Sequence, residues 1–425
     1  MTAISEEPTG AAPSVTPANR RPVPPRAQRA LAALAVTAFV ACAGVVPARA
    51  AGPTPTPGKS PAQGAPWAGA KKEPPAEMSK AGGERLGLPG DQVGAGAPNL
   101  PAGLSALSWV VADADTGQVL AAKNAHWHLP PASTLKMLFA DTVLPAVPRD
   151  VSRKVTAEDL RGMGAGSSAV GIVPGGTYQV PDLWRGVFLR SGNDAVHVLA
   201  AMNGGVDKTV TDMQKRATEL GAGDTHVRSP DGYDAPGQVS SAYDLALFLR
   251  QGLKDKDFKE YCSTASAQFP GGPDAKDKPF GITNTNRMLS GVEGVATYPG
   301  LIGGKNGYTT NAGNTLAEAA QRDGHTVVVT VMNPQENRRD QIYTEMRALL
   351  DWGFSAAGKA TPVGTLDPAA PGPDAPAAPP ASGATASVGS GSGPGPLGWT
   401  AVEAGVAAVA GGTGLLLARR RREKR

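Results

Sequence analysis

Cysteine is nearly absent from this chain of 425 residues, and aromatic residues make up only 5% of it. Of the two cysteines, Cys42 lies in an apolar N-terminal run and Cys262 lies in the central part of the chain, so we expect no disulfide between them. No strict glycine period runs through the sequence, which excludes a collagen-like fibre. A Gly-x-Ser-x-Gly segment is also missing, which argues against a conventional Ser-His-Asp hydrolase.

The sequence has little net charge outside its last residues. The formal net charge is +4, and the final segment Arg419–Arg425 contains six basic groups and one acid. The formal net charge of the rest of the chain is therefore −1, and the sequence gives no indication of a basic surface that could bind a nucleic acid. His126 and His128 stand close together without a further clustered ligand, so we expect packing or surface residues there, no metal site and no cofactor.

Proline is unevenly distributed, and this divides the chain. Only 13 of the 39 prolines fall between Leu104 and Phe354. We therefore predict one folded domain of ordinary composition over residues 104–354. The flanking residues 51–103 and 355–396 have the composition of disordered linkers.

The first 50 residues have the order of a secretory signal peptide with an extended polar N-region. Basic residues up to Arg29 precede the apolar run Ala30–Val46, and the small-x-small triplet Ala48-Arg49-Ala50 follows. We predict cleavage after Ala50, and an uncleaved N-terminal anchor is the alternative.

The C-terminus has the pattern of a membrane anchor. Residues 397–418 contain one charged residue, Glu403, and the arginine-rich tail 419–425 follows directly. A helix of that length rises about 33 Å, enough to cross a hydrocarbon layer of about 30 Å. The arginines favour a cytoplasmic tail, so we predict a single-pass protein of the cell membrane with its domain outside; an apolar tail lying on the surface is the alternative. The proline-rich residues 361–396 could reach on the order of 100 Å, a distance suited to work within a cell wall.

Strand patterns occupy both ends of the predicted domain, and helical patterns lie between them. Ser108–Ala114 and Gln118–Ala122 predict a hairpin, and Thr326–Met332 has the β-branched density of a central strand. The predicted helical segments are Leu183–Met202, Val206–Leu220, Ser241–Gly252 and a closing helix, Arg338–Trp352. This order favours an antiparallel sheet with a mostly helical insertion over alternating βαβ units.

Ser133 and Lys136 form the first chemical motif. Two prolines, Pro130 and Pro131, precede Ser133 at the start of an apolar helical run. Residues three apart share a helix face, so Ser133 Oγ and Lys136 Nζ can meet. A serine needs a base to act as a nucleophile, and burial of the lysine would lower its pKa and leave it neutral. A Ser-x-x-Lys segment alone is a weak signal in a chain this long.

Two later segments supply further polar groups. Ser191-Gly192-Asn193 offers a hydroxyl and an amide in a polar turn, and Lys305-Asn306-Gly307 offers a cation on a glycine-flanked strand. In this order the three motifs resemble those of the penicillin-recognising serine enzymes. The segments most similar to one branch of them, the low-molecular-weight D-alanyl-D-alanine carboxypeptidases, are Pro131–Met137, Ser191–Ala195, Ser229–Gly232 and Gly304–Thr309.

The resemblance covers residues 104–354 and implies a fold and an activity. The fold is α/β of the α+β type, β-lactamase/transpeptidase-like: a five-stranded antiparallel sheet flanked by helices, a mainly helical region, and the active site between them. The activity is that of a serine-type carboxypeptidase, which removes the terminal D-alanine from peptidoglycan stem peptides ending in D-Ala-D-Ala. β-Lactam antibiotics are the implied inhibitors.

The resemblance also implies the catalytic roles. Ser133 would be the nucleophile that forms the acyl-enzyme, and Lys136 would be its general base. Ser191 would relay the proton towards the leaving D-alanine. The backbone amides of Ser133 and Tyr308 would form the oxyanion hole.

The implied substrate-binding residues are Asn193, Lys305, Asn306, Gly307 and Tyr308. Asn193 would hold the substrate amide and contact Lys136, and Lys305 would supply positive potential for the terminal carboxylate. Gly307 suits a strand that the substrate approaches closely. Asn306 is a departure, because the family usually has threonine or serine there as the carboxylate ligand, although an amide can also donate.

Two rival functions stay open. A secreted β-lactamase shares the motifs but deacylates through a glutamate-activated water; the chain offers only Glu219 and the Asp231-Gly232 turn, so fast β-lactam hydrolysis is not expected. A wall-binding protein without catalysis is suggested by Asn306 alone. Arg338 and Arg339 are further candidates for the carboxylate, but we expect them to be solvated helix residues.

Overall fold

The computed structural model describes residues 73–273, 278–336 and 338–368. The predicted signal peptide 1–50, transmembrane helix 397–418 and tail 419–425 lie outside these residues. Within the described ranges no helix is both long and apolar enough to span a bilayer.

Antiparallel strands form the central layer. The strands that the structure describes are β1 (Asp91–Val93), β2 (Ala106–Asp113), β3 (Gln118–Lys123), β4 (Ser152–Lys154), β5 (Thr177–Gln179), β6 (Ser266–Phe269), β7 (Phe280–Thr283), β8 (Leu301–Thr309), β9 (Gly313–Arg322), β10 (His325–Pro334) and β11 (Gly364–Thr365). The main sheet has the order β1-β3-β2-β10-β9-β8, with β11 also pairing β3, while β4-β5 and β6-β7 are separate ribbons. The long strands β3, β2, β10, β9 and β8 are the five implied by the family resemblance. That count is nevertheless wrong by two, because the short strands β1 and β11 extend the sheet at β3.

Helices cover both faces of this sheet. They are α1 (Lys136–Val143), α2 (Val180–Leu189), α3 (Asn193–Met202), α4 (Val206–Glu219), α5 (Ala242–Gly252), α6 (Lys256–Ser263), α7 (Arg287–Ser290) and α8 (Gln341–Ala356). The sheet lies between α5 and the rest of the helical region on one face and α8 on the other. The two ends of the domain therefore supply the sheet, and its middle supplies most helices, as the sequence order predicts.

The alternation of side chains along each strand produces two separate cores. Val110 and Ala112 of β2 join the core shared with the helical region, whereas Trp109 and Val111 join the core under α8. Successive side chains of a strand point to opposite faces, so a strand buried on both faces is apolar throughout. The same alternation on β8 and β9 decides which of their polar side chains face the helical region.

The two predicted linkers are partly folded, which corrects both inner domain boundaries. Composition predicts disorder for residues 73–103, yet Leu86 is fully buried and β1 pairs with β3. Residues 355–368 likewise add β11 to the sheet and bury Val363 and Leu366. In each segment a few apolar residues pack against the domain. The average composition of a proline-rich stretch does not reveal such single residues, so it predicts disorder.

The helix predicted over Leu183–Met202 is two helices. The structure ends α2 at Leu189 and begins α3 at Asn193. Between them Ser191 has a φ of 53°, in the left-handed region that non-glycine residues rarely occupy. The chain therefore turns at the polar segment, which places Ser191 and Asn193 at the junction of two helices.

Candidate active site

Ser133 lies in a strained turn that leads into α1. A 3-10 turn spans Ala132–Leu135, and Ala132 has a φ of 49°. Two glycines make room for this turn: a Cβ at Gly232 would lie 1.9 Å from the carbonyl oxygen of Ala132, and a Cβ at Gly307 would lie 2.7 Å from the amide nitrogen of Ser133. The strain and the close approaches fix the backbone that carries Ser133.

Lys136 is completely buried beside Ser133. Its Nζ donates to Ser133 Oγ over 2.8 Å, to Asn193 Oδ1 over 2.7 Å and to the backbone oxygen of Asp231 over 2.6 Å. Burial lowers the pKa of Lys136 to about 8, although the charges of Asp231 and Asp194 oppose the shift. A lysine with this pKa has a neutral fraction near neutral pH and can accept a proton from the serine hydroxyl.

Asp231 and Asp194 are site residues that the sequence pattern alone does not single out. The Asp231 carboxylate accepts from Ser229 Oγ and from the amide of Tyr233, and it faces His197 Nε2 at 3.6 Å. Burial alone would raise the pKa of Asp231, but His197 and Lys136 hold it at about 2. The sequence signal for this residue is the Ser-Pro-Asp-Gly segment, which by itself indicates a family likeness and no role for the aspartate.

Ser191 and Asn193 lie buried at the junction of α2 and α3, on the side of the site formed by the helical region. Asn193 bridges Lys136 and Ser167, because its Nδ2 donates to Ser167 Oγ over 3.1 Å. Ser191 Oγ is buried, and among the described residues it has no hydrogen-bond partner. The Asp194 carboxylate fixes the junction by accepting the amides of Val170, Gly171 and Ile172.

Lys305 and Asn306 lie on β8, the edge strand of the sheet, at the other side of the cleft. Lys305 is buried, and its Nζ donates to the backbone oxygen of Asn306 over 2.7 Å and approaches Asn306 Oδ1 at 3.3 Å. Asn306 Oδ1 also accepts from Thr285 Oγ1 over 3.1 Å. Burial and the nearby Lys136 lower the pKa of Lys305 well below its usual value, while Glu318 opposes that shift. The structure therefore brings the two lysines of the motifs close together.

Gly307 allows β8 to lie against the turn that carries Ser133. A side chain at this position would meet Thr315 Oγ1 at 2.6 Å as well as the amide of Ser133. The following residue, Tyr308, pairs with Asn314 at the end of the strand. Six of the eight predicted site residues are thus brought together. Hydrogen bonds join Lys136 to Ser133 and Asn193, Gly307 lies against Ser133, and Lys305 and Asn306 directly precede Gly307 on β8.

Other candidates lie apart from these contacts. Arg338 and Arg339 are exposed and pair with Glu336 and Asp340, as expected of solvated residues, but the closing helix begins only at Gln341, so they do not lie on it. Glu219, the glutamate considered for a β-lactamase, pairs with Lys215 and Arg216 on α4.

The two histidines do not lie free on the surface. His126 Nδ1 and His128 Nε2 contact the two carboxylate oxygens of Asp224 at 2.6 and 3.1 Å. This pairing lowers the pKa of Asp224 and raises that of His128. Within the described ranges, no group of three or more histidine, cysteine or acidic side chains is arranged to hold a metal ion.

The fold and the cleft define a class: a serine hydrolase with the mixed α/β fold of penicillin-binding proteins. The crystal structure of a D-alanyl-D-alanine carboxypeptidase from Mycobacterium tuberculosis H37Rv has a TM-score of 0.58 and 35% identity, covering 64% of this chain and 99% of that one. The Streptomyces K15 DD-transpeptidase has a TM-score of 0.55 and 25% identity, covering 61% of this chain and all of that one.

The family follows from the sequence comparisons. The model of the family Peptidase_S11, D-alanyl-D-alanine carboxypeptidase, matches residues 94–336, and this chain belongs to that family. The D-alanyl-D-alanine carboxypeptidase DacB2 of Mycobacterium tuberculosis is 38% identical over 275 residues, which are 64% of this chain and 89% of the relative. The chain is a serine hydrolase with D-alanyl-D-alanine carboxypeptidase activity, and the acyl-enzyme and penicillin binding are general to its family.

Proposed function

We propose that Ser133 carries out this carboxypeptidase reaction on peptidoglycan stem peptides, with Lys136 as its base. The supporting observation is the 2.8 Å contact between Ser133 Oγ and the buried Lys136 Nζ. Neutral Lys136 takes the hydroxyl proton as Ser133 Oγ attacks the carbonyl carbon of the penultimate D-alanine. The C–N bond then breaks, Ser191 Oγ passes a proton to the departing amine, and water hydrolyses the resulting ester.

The remaining groups bind the substrate. Asn193 holds the peptide amide, and Lys305 with Asn306 receives the terminal carboxylate at the edge of β8. The amides of Ser133 and Tyr308 stabilise the oxyanion, an interaction worth typically about 3 kcal/mol per donor. The contact of Gly307 with Ser133 supports this last assignment, because it brings β8 beside the nucleophile.

The decisive experiment measures D-alanine release from a diacetyl-Lys-D-Ala-D-Ala tripeptide by the full-length chain in detergent. Wild type and Asn306→Thr should release D-alanine, and Ser133→Ala should not. Fluorescent penicillin should label wild type and fail to label Ser133→Ala. If wild type neither releases D-alanine nor is labelled, the chain is a wall-binding protein without catalysis. Rapid nitrocefin turnover would instead indicate a β-lactamase.

We also propose that the domain works outside the cell membrane on a C-terminal tether. Residues 397–418 supply an apolar segment followed by arginines, and residues 1–50 have the order of an export signal. Because residues up to 368 fold onto the sheet, the tether comprises residues 369–396, about 90 Å when extended. The chain should sediment with membranes and be degraded by protease added to intact spheroplasts. A chain ending at residue 396 should be released, and its retention would contradict the tether.

A further inference from the structure

Asp234 joins the helical region to the end of β8. It is a partly buried residue of the loop that follows Asp231. Its Oδ1 accepts from Thr309 Oγ1 over 2.7 Å, and its Oδ2 accepts from the backbone amide of Asn311 over 3.1 Å. Thr309 Oγ1 in turn accepts from the amide of Ala312. One acidic side chain therefore contacts both the last residue of β8 and the turn that follows it.

Thr309 lies on the same face of β8 as the residues that line the site. Side chains two residues apart along a strand point to the same face, so positions 305, 307 and 309 follow one another at intervals of about 7 Å. The contacts agree with this register, because Gly307 lies against Ser133 and Thr309 contacts Asp234. Lys305 and Thr309 therefore mark the ends of a row about 13 Å long, and Ser133 lies beside its middle.

The carboxylate of Asp234 has only neutral partners. Its two hydrogen bonds come from a hydroxyl and a backbone amide, and among the residues that the structure describes no lysine, arginine or histidine forms an ion pair with it. A carboxylate offers about four lone-pair positions, so acceptor capacity remains after these two bonds. Hydrogen bonds between two charged groups are the strong ones, and a partly buried carboxylate with spare acceptor capacity is therefore suited to bind a cation.

The proposed reaction sets the direction of the substrate along this row. Lys305 receives the terminal carboxylate, and the amide of Tyr308 stabilises the oxyanion of the penultimate D-alanine. The peptide therefore runs antiparallel to β8, and the residue before D-Ala-D-Ala lies beside Thr309. In a peptide ending in Lys-D-Ala-D-Ala this residue is the lysine, whose flexible four-carbon stem can carry its ammonium group to the Asp234 carboxylate.

We propose that Asp234 is a specificity-determining residue: its carboxylate receives the cationic side-chain amine of the stem-peptide residue that precedes D-Ala-D-Ala. This rests on the proposed roles of Lys305 and Tyr308. The cleft then complements the charges of its substrate at both ends, with a cation for the terminal carboxylate and an anion for the amine. The preferred substrate is a stem peptide whose side-chain amine is free. A peptide in which cross-linking has converted that amine to an amide loses the contact.

Asp234→Asn tests this inference, with Asp323→Asn as the matched control for net charge. Asp323 is exposed in the turn between β9 and β10, about 30 Å along β9 from the turn that follows β8. On the full-length chain in detergent, kcat/KM for D-alanine release is measured with α-acetyl-Lys-D-Ala-D-Ala, its diacetyl form and its norleucine analogue. Wild type should favour the free amine about fivefold over both neutral peptides, and less so at high salt. Asp234→Asn should lose this preference, and Asp323→Asn should keep it.

Thr309→Val separates the charge of Asp234 from its structural contact. This variant removes the hydroxyl donor and keeps the carboxylate, so it should change kcat/KM for the three peptides by the same factor. The inference is overturned if wild type does not distinguish the peptides by charge, or if Asp234→Asn keeps the preference. It is also overturned if Thr309→Val loses the preference as fully as Asp234→Asn does.

Binding of the same peptides to Ser133→Ala, measured by calorimetry, tests the preference without turnover. The Kd of the free-amine peptide should be about fivefold lower than that of the norleucine peptide, and the difference should vanish when Asp234→Asn is added. That result supports the inference even if the carboxypeptidase reaction is not observed. Equal Kd values contradict it even if the reaction is confirmed.

Discussion

The two sides of the cleft each bury one lysine, but they satisfy it differently. On the helical side, Lys136 donates to three oxygens from three separate segments of the chain, those of Ser133, Asn193 and Asp231. On the strand side, both oxygens around Lys305 Nζ belong to its neighbour Asn306. The helical side is therefore complete without a ligand, whereas the strand side keeps donor capacity for one.

The different numbers of hydrogen bonds to the two lysines fit the two roles that we propose for them, general base and carboxylate binding. A base must be held at a fixed distance from its nucleophile, which requires many short contacts. A binding cation must be able to exchange its partner for a substrate carboxylate, which favours few contacts. Variants of each side should therefore affect different kinetic constants.

The largest effect is expected for Lys136→Met. The variant removes the proposed base and its three hydrogen bonds, so kcat should fall about 10³-fold or more. Steady-state kinetics on the tripeptide gives kcat, and equilibrium binding of a non-hydrolysed product analogue should change much less. Equal losses in both measurements would mean that the helical side also binds the carboxylate.

Lys305→Met should act mainly on KM. It removes the positive charge that we propose receives the terminal carboxylate, so KM for the tripeptide should rise on the order of 100-fold. The peptide with a C-terminal amide serves as the control, since its KM should change little. A fall in kcat at constant KM would assign Lys305 to the chemistry instead.

Asn306→Asp introduces an anion of nearly the same shape beside Lys305. The new carboxylate competes with that of the substrate, so KM should rise about tenfold for the tripeptide. The effect should weaken at low pH as the introduced group is protonated. An unchanged KM would place the substrate carboxylate away from Asn306.

Asp231→Asn should give the smallest effect, a shift in pH dependence. In wild type, kcat/KM should rise with pH through about 8 as Lys136 loses its proton. The Asp231 charge raises the pKa of Lys136, so its removal lowers that pKa and moves the acid limb to lower pH. Activity at pH 6.5 should increase a few-fold and remain the same at pH 9. If the acidic side of the pH profile of kcat/KM stays where it is in wild type, the pKa of Lys136 does not depend on the charge of Asp231.

Sequence reasoning is strongest where a local pattern fixes the chemistry. The spacing of Ser133 and Lys136 predicts their contact, and the order of strands and helices predicts the sheet from both ends of the domain. β8 and β9 carry few β-branched residues, so their place in the sheet comes only through the family likeness.

What the sequence does not reveal depends on contacts between distant segments. Strands β1 and β11 form because the edge of β3 offers them partners, in segments whose proline content predicts a linker. Asp231 accepts from Lys136 through a backbone oxygen, which any residue type supplies, and its side chain acts on Lys136 through its charge alone. Glu318 lies among alanines in its strand, and only the pairing of β9 with β8 places it opposite Gly304.

Cys262 has a practical consequence of its position on α6. Its thiol is buried, and a Cβ on Gly303 of β8 would lie 2.4 Å from its Sγ. Burial raises the pKa of the thiol, so it is unreactive while α6 and β8 remain in contact. A thiol-alkylating reagent can modify Cys262 only when these two elements separate. The rate of its alkylation therefore measures how often β8 detaches from α6 in solution.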